Sequence, residues 1–417
     1  MSLIKTTLLS GIATVIRMLS GMVVNKVIAV YIGPSGLAMI GNFQNVLNTF
    51  VTLSTGGINS GITKYVAEFN GDPKKRNEYL QASFFITLIS SLMISLIIIV
   101  FKEWFSLKIL HSLNYTSIFI VLSITIFFIG LNNYMLAVLN GLKYIRIYIF
   151  ANILASLSSL VLTTFLTTQF GLYGAILSLV LVHSVALMIT VLYLLKKKDI
   201  KFNFFLLNVP RRVYVNLLKF SLMSAVSIVT VPLVQLIIRG LIANQVSLES
   251  AGYWEALNRV SNMYLLIITT SLTTYYLPRL SEIKNANELQ REVIRGYKLI
   301  LPVVGIILIS VYLLKDWIVR ILFTNEFQAM SDLFPLQLLG DFLKMSSWIL
   351  AYLMVAKALT RFFIFSEIIS GATYLLFSYL FINSLGVKGV ILAYCLMYAI
   401  YMVLMVFMYF RVLRVME

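Results

Sequence analysis

The chain is a succession of long apolar stretches separated by short polar intervals. Runs such as residues 84–100 are continuously apolar, which is typical of membrane-spanning helices and not of the alternating strands of a barrel. A helix needs about 20 apolar residues to cross the hydrocarbon core and satisfies its backbone groups internally. We therefore predict an all-α polytopic membrane protein with about twelve spans. The predicted spans are residues 3–32, 36–69, 79–101, 115–141, 147–168, 174–195, 213–242, 250–280, 298–315, 331–356, 362–382 and 388–410.

Composition agrees with this pattern and excludes several classes of protein. The 417 residues are 60% hydrophobic and 12% charged, against about 45–50% and 25% in a soluble domain. The single cysteine, Cys395, excludes an intramolecular disulfide, and the two histidines, His111 and His183, are far apart. We predict no metal site and no cofactor.

The distribution of basic residues predicts the orientation of the chain. With both termini in the cytoplasm, 22 of the 33 Lys and Arg residues lie on the cytoplasmic side and five on the other. This bias follows the positive-inside rule, so we read the net charge of +17 as topology and not as a sign of nucleic-acid binding. The longest polar interval, residues 197–212, is predicted to be a basic cytoplasmic linker between two six-helix lobes at 1–196 and 213–417.

Charged residues inside the predicted spans are the main functional signal, because a charge at mid-bilayer is costly and usually faces a partner or water. Pairs on one helix face explain some of them: Lys64 with Glu68, Glu255 with Arg259, and Asp341 with Lys344. Other basic residues have no acid within a turn on their own helices, although those near a span end can extend to the interface. These residues are Arg17, Lys26 and Arg239.

The excess of positive charge within the spans predicts a cavity for a polyanion such as a diphosphate, which arginine and lysine bind well. Internal pairing remains the alternative for part of this set. The candidate substrate-binding cations are Arg17, Lys26, Lys64, Arg239, Arg259 and Lys344, and the candidate coupling or gating carboxylates are Asp341, Glu367 and Glu255.

Uncharged polar residues are concentrated in the second and eighth predicted spans, more than a helix facing lipid tolerates. Amides and hydroxyls suit the hydroxyl groups of a sugar, and contacts between helices are the alternative explanation. The candidate polar lining residues are Asn42, Gln44, Asn45, Asn48, Asn59, Asn258 and Asn262.

Known catalytic patterns do not account for these residues. The glycine-rich segment GGINSGITK lacks the ending of a phosphate-binding loop and lies within a span. We predict no catalytic residues. The loops at 102–114 and 315–330 are too short for the periplasmic catalytic region of a glycosyltransferase, polymerase or ligase.

Three segments of the chain resemble a known family. NKVIAVYIGPSGLAMIGNF, GGINSGITKYVAEF and LFPLQLLGDFLKMSSWILAYLMVAKALTRFFIFSEI are similar to the Wzx-type flippases of O-antigen and enterobacterial common antigen synthesis. These flippases form the polysaccharide-transporter branch of the multidrug/oligosaccharidyl-lipid/polysaccharide (MOP) superfamily. The likeness extends in order along essentially the whole chain. Matching positions include Lys26, Lys64, Asp341, Lys344, Lys357 and Glu367.

The resemblance implies two six-helix lobes around a central cationic cavity, in the inner membrane of a bacterium. It implies alternating-access export of undecaprenyl-diphosphate-linked units, driven by H⁺ or Na⁺, in the presence of membrane lipid, a polymerase and a chain-length regulator. We expect an O-antigen repeat unit as the substrate, with lipid III of the common antigen as the alternative. A multidrug or cation antiporter of the same superfamily would need carboxylates in its cavity, whereas the excess within these spans is basic.

Overall fold

The computed structural model describes residues 3–416, apart from 143, 197–208, 273–275, 277–278, 281–282, 284 and 358. Within this part of the chain all regular secondary structure is helical, which confirms the predicted all-α class. Two short 3-10 segments, Leu113–Tyr115 and Asn325–Leu333, accompany the α-helices. The helices are α1 (Leu3–Ser54), α2 (Asn59–Glu68), α3 (Pro73–Val100), α4 (Lys102–Leu110), α5 (Thr116–Gly141), α6 (Ile145–Lys196), α7 (Arg211–Gln245), α8 (Leu248–Ser271), α9 (Ala286–Leu322), α10 (Phe334–Ala356), α11 (Thr360–Leu385) and α12 (Val387–Met416).

Two of the helices are interrupted by glycines in the left-handed region of the backbone. Helices α1 and α6 are each 52 residues long, or about 78 Å at 1.5 Å per residue, which is more than twice the thickness of a hydrocarbon core. Gly33 has φ +71° and is followed by Pro34, and Gly171 has φ +54°. A side chain would strain either conformation. Each long helix therefore consists of two spans, divided where the sequence predicted a boundary.

The number of spans agrees with the prediction once these kinks are taken into account. Eight helical segments of the described chain are long and apolar enough to cross a membrane, with α1 and α6 each contributing one undivided segment. Dividing both at their glycines, and adding α7 with 35 residues and α8 with 24, gives twelve segments of span length. The chain is a multi-pass helical membrane protein.

The ninth predicted span, residues 298–315, is the central part of a much longer helix. Helix α9 begins at Ala286 with the side chain of Asn285 as its N-cap. Its first turns bury Leu289 and Val293 and expose Arg291 and Arg295. This amphipathic start extends the helix beyond the apolar run that predicted it.

The described chain divides by spatial contacts into two compact units. Unit 1 comprises residues 1–32 and 39–232, and unit 2 comprises residues 33–38 and 233–417. The lobes predicted from the sequence are consecutive segments of the chain, and that division remains a prediction. Most of the predicted linker, residues 197–208, lies outside the described residues.

Unit 1 has a core between α2, α3 and α5 to which the start of α7 is attached. Ile62 and Tyr134 are buried there, and the Tyr134 hydroxyl donates to the carbonyl of Leu80 at 3.0 Å. The amide of Asn216 in α7 donates to the Tyr79 hydroxyl at 3.1 Å. Apolar burial and these few polar bonds explain why the first part of α7 belongs to unit 1.

Candidate functional site

The basic residues of α1 lie on different sides of the helix. Arg17 is exposed and Lys26 is half-buried. They are nine residues apart, about two and a half turns, so their side chains leave α1 in opposite directions. Lys64 is exposed on α2, with its ammonium 5.1 Å from the ring centroid of Tyr65. The structure therefore does not bring these three predicted cations of unit 1 into one cluster.

The pair proposed between Lys64 and Glu68 stays a prediction. Both side chains are exposed on α2. Lysine over an aromatic face gains electrostatic attraction from the ring quadrupole. The ring of Tyr65 is therefore one partner of the Lys64 ammonium.

Among the candidate polar lining residues of unit 1, one packs against another helix, whereas others are exposed or lack a hydrogen-bond partner in the described chain. Asn42 is buried, and its amide points to the carbonyl of Ile109 at 3.5 Å, which supports the packing explanation for that residue. Asn48 is exposed. The Asn45 amide nitrogen and the Asn59 amide oxygen are buried and lack a hydrogen-bond partner in the described chain. Gln44, the remaining candidate lining residue of this unit, is half-buried.

A buried ion cluster in unit 2 contains three of the predicted residues. Glu255 of α8 accepts a hydrogen bond from Arg239 of α7 at 2.5 Å and one from Arg259, a turn along its own helix, at 3.0 Å. Arg239 is only 1% exposed, and its guanidinium lies 5.4 Å from the ring centroid of Trp254. The predicted pair of Glu255 and Arg259 is confirmed. The alternative that Arg239 extends to the membrane interface is wrong, because its partner is on the neighbouring helix.

The net charge of this cluster is positive. Two guanidinium groups share one carboxylate, and Arg259 retains 13% exposure of its side chain. Buried charges of this kind persist where partners and hydrogen bonds offset the cost of desolvation. The cluster presents Arg259 as a fixed cation that is partly accessible. Asn258 beside it is half-buried, and Asn262 one turn further along α8 is exposed.

A second polar cluster surrounds Asp341 in α10, which is 0% exposed. Its carboxylate accepts hydrogen bonds from Ser261 at 2.7 Å, from Tyr394 at 2.8 Å, from Gln337 at 3.3 Å and from Tyr264. Four donors from three helices satisfy both carboxylate oxygens. Asp341 thus joins α8, α10 and α12 into one network.

Lys344 lies one turn beyond Asp341, and the two side chains interact electrostatically without a direct salt bridge between the described atoms. Hydroxyl and amide donors make the direct hydrogen bonds to the Asp341 carboxylate. The Lys344 ammonium lies 5.0 Å from the ring centroid of Trp348 and 5.9 Å from that of Tyr398. Glu367 of α11 is half-buried, without a hydrogen bond to its carboxylate from any described residue.

Metal chemistry finds no support in the described residues, among which no group of three or more His, Cys, Asp or Glu side chains could hold an ion. Cys395 is buried, and its thiol donates to the carbonyl of Leu336 at 3.1 Å.

Comparison with known proteins identifies the family. The family model described as "Polysaccharide biosynthesis protein" matches residues 3–284, more than half of the chain. The chain belongs to this family. A curated relative, the Lipid III flippase of Escherichia coli strain K12, is 30% identical over 402 residues, which are 96% of each chain.

Solved structures of transporters share the fold of this family member. An inward-facing multidrug resistance MATE family transporter of the MOP superfamily has a TM-score of 0.84, with 15% identity over 97% of this chain and 98% of the other. The inward closed conformation of the lipid II flippase MurJ has a TM-score of 0.69, with 14% identity over 97% and 87%. These similarities confirm the predicted MOP fold. The curated relative supports a transporter rather than an enzyme.

Two features of this family member escaped sequence reasoning. The partner of Arg239 is 16 residues away on another helix, beyond any spacing rule within one helix. The donors around Asp341 come from residues 80 and 53 positions away, Ser261 and Tyr394. A carboxylate within an apolar run does signal that partners must exist, although it does not identify them.

Proposed function

We propose that the protein is a flippase for an undecaprenyl-diphosphate-linked oligosaccharide, and that its substrate belongs to the lipid III class. The observation that carries the proposal is the 30% identity to the Escherichia coli Lipid III flippase over 96% of both chains. A relationship of this extent covers almost the whole chain. It favours lipid III over the O-antigen repeat unit, which is the second candidate.

The charges within the spans support this substrate chemistry. A diphosphate is best bound by arginine, whose planar group offers two parallel hydrogen bonds. Arg259 is partly accessible and is held in place by Glu255. We assign it the leading role in diphosphate binding, with Lys26 and Arg17 as further candidates and Arg239 as the residue that positions Glu255.

The available carboxylates argue against a multidrug or cation antiporter. An organic cation would require an accessible carboxylate, whereas Glu255 contacts two arginines and Asp341 is enclosed by hydrogen-bond donors. The third carboxylate, half-buried Glu367, is a neighbour of Tyr398, as is the Lys344 ammonium, which would oppose a cation there. Transport coupled to H⁺ or Na⁺ would use Asp341, Glu367 or Glu255 as the coupling or gating group. A ligand shifts the two states of an alternating-access cycle only through its different affinities for them.

The proposal includes the cellular setting. The flippase would lie in the inner membrane of a bacterium with both termini in the cytoplasm and would move its substrate to the periplasmic leaflet. A polymerase and a chain-length regulator would act on the exported units.

The test is complementation of cells that lack their own lipid III flippase. Expression of this chain should restore surface common antigen and remove the accumulated undecaprenyl-diphosphate-linked units, measured by mass spectrometry of extracted lipids. Arg259→Ala should abolish the rescue, and Arg259→Lys should retain part of it. Rescue only in parallel cells that lack their own O-antigen flippase would favour the second candidate. Failure to restore either product would contradict the flippase proposal.

A further inference from the structure

A half-buried surface of unit 2 combines aromatic rings with one positive and one negative side chain. We call it the α10–α12 aromatic surface and define it by Lys344, Trp348, Glu367 and Tyr398. The Lys344 ammonium is 5.0 Å from the Trp348 ring centroid and 5.9 Å from the Tyr398 ring centroid. The Glu367 carboxylate lies close enough to Tyr398 to interact with its hydroxyl electrostatically.

The buried network next to this surface holds it in place. Tyr394 donates to Asp341 at 2.8 Å, and its ring meets that of Tyr398 edge to face, with centroids 4.9 Å apart. The rings of Tyr398 and Tyr401 also form an edge-to-face pair at 6.1 Å. Aromatic pairs of this geometry are favourable. Asp341 thus acts as a positioning residue for the aromatic wall beside Lys344.

The position of the surface along the helices excludes simple contact with solvent at a membrane face. Lys344 is ten residues from the start of α10 and twelve from its end, or about 15 and 18 Å along the axis. Half-buried charges at such depth are costly against lipid tails and are normally found beside polar partners. Asp341 is such a partner for Lys344, with which it interacts electrostatically. The Glu367 carboxylate accepts no hydrogen bond from any described residue, and a polar ligand within the membrane would supply one.

The sign of the local charge distinguishes this surface from the Arg239–Glu255–Arg259 cluster. Two carboxylates, Asp341 and Glu367, accompany the single ammonium of Lys344, so the region is negative when all three groups are ionised. A diphosphate carries several negative charges and would be repelled here. The surface instead suits a neutral ligand that both donates and accepts hydrogen bonds.

We propose that the α10–α12 aromatic surface binds the carbohydrate portion of the lipid-linked substrate, a subsite distinct from the diphosphate site. Sugar rings present polarised C–H groups, which match the negative face of an aromatic ring. Sugar hydroxyls donate to a carboxylate such as Glu367 and accept from an ammonium such as Lys344. The inference rests on the proposed flippase function and changes the role of Lys344 from phosphate binding to sugar binding.

The experiment compares two lipids that differ only in the sugar. Purified full-length protein in lipid nanodiscs is titrated with lipid III and with undecaprenyl diphosphate. The wild-type protein should bind lipid III more tightly. Trp348→Leu should weaken lipid III binding about 3- to 10-fold and leave undecaprenyl diphosphate binding unchanged. Trp348→Phe should recover most of the loss, because it restores an aromatic face.

Control variants distinguish a selective loss of lipid III binding from general damage to the fold. Trp317→Leu in α9 removes a tryptophan that is 64% exposed on the same unit, and it should change neither affinity. Glu367→Gln gives an independent readout if Trp348→Leu does not fold, and it should also weaken lipid III binding selectively. Equal loss for both lipids, or no loss for either, would overturn the sugar subsite. Failure of the wild-type protein to bind either lipid would refute the flippase proposal itself.

Discussion

The buried ion cluster of unit 2 gives the sharpest prediction about stability. The Glu255 carboxylate contacts both Arg239 and Arg259, at 2.5 and 3.0 Å. Glu255→Ala would remove the carboxylate that both guanidinium groups contact, and the Arg239 side chain is only 2% exposed. Removing one partner of a buried pair typically costs about 3–5 kcal/mol, since the remaining charge stays desolvated. We expect a loss of this size in the free energy of unfolding.

The measurement is a titration with sodium dodecyl sulfate in mixed micelles, with far-ultraviolet circular dichroism as the signal for folded protein. Glu288→Ala is the matched control, because Glu288 pairs with Arg279 at 2.9 Å while both side chains are more than a third exposed. Exposed pairs contribute about 0–1 kcal/mol, so the control should be close to the wild type.

A double variant tests the cause of the effect. Arg239→Met combined with Glu255→Gln removes the most deeply buried charge together with its partner, roughly keeps the volume of both side chains, and leaves only the partly exposed Arg259 of the cluster charged. This protein should be more stable than Glu255→Ala. If Glu255→Ala costs no more than Glu288→Ala, the reasoning from buried charge is refuted.

The remaining predictions concern packing and hydrogen bonding in unit 2. A Cβ atom on Gly252 would lie 1.9 Å from the Pro34 carbonyl oxygen, so Gly252→Val should lower the thermal unfolding temperature in detergent. Gly240→Ala is the control, because a Cβ atom there would have no atom within 4 Å, and it should leave the unfolding temperature unchanged or raise it. Asp341→Asn deprives buried donors of an acceptor and should cost about 1–3 kcal/mol in the same titration. Exposed Asp332→Asn is its control and should have little effect. An unchanged melting temperature for Gly252→Val, or equal stability of the two asparagine variants, would contradict these arguments.

The sequence determined the helical architecture because each span is a local property of the chain. A membrane helix satisfies its own backbone, so length and hydropathy suffice to predict it. The boundaries near residues 33 and 171 could be predicted for the same reason, since glycine and proline act on the backbone where they stand. The pair of Glu255 and Arg259 could also be predicted from the sequence, because residues four apart share one helix face.

The sequence could not predict which charged and polar side chains contact one another between helices. Spacing suggested pairs within one helix, whereas in the described structure the Asp341 carboxylate also accepts hydrogen bonds from hydroxyl groups of α8 and α12, and Arg239 pairs with Glu255 of α8. Proximity along one helix makes such a contact possible, and the donors that neighbouring helices bring determine whether it forms.

The sequence by itself thus determined the number and kind of spans and the residues whose chemistry is costly in lipid. Only the tertiary structure decided which of those residues neutralise one another, as Arg239 and Glu255 do, and which remain partly accessible, as Arg259 and Lys344 do. The physical reason is that hydropathy is summed along one segment, whereas the energy of a buried charge depends on groups from several helices.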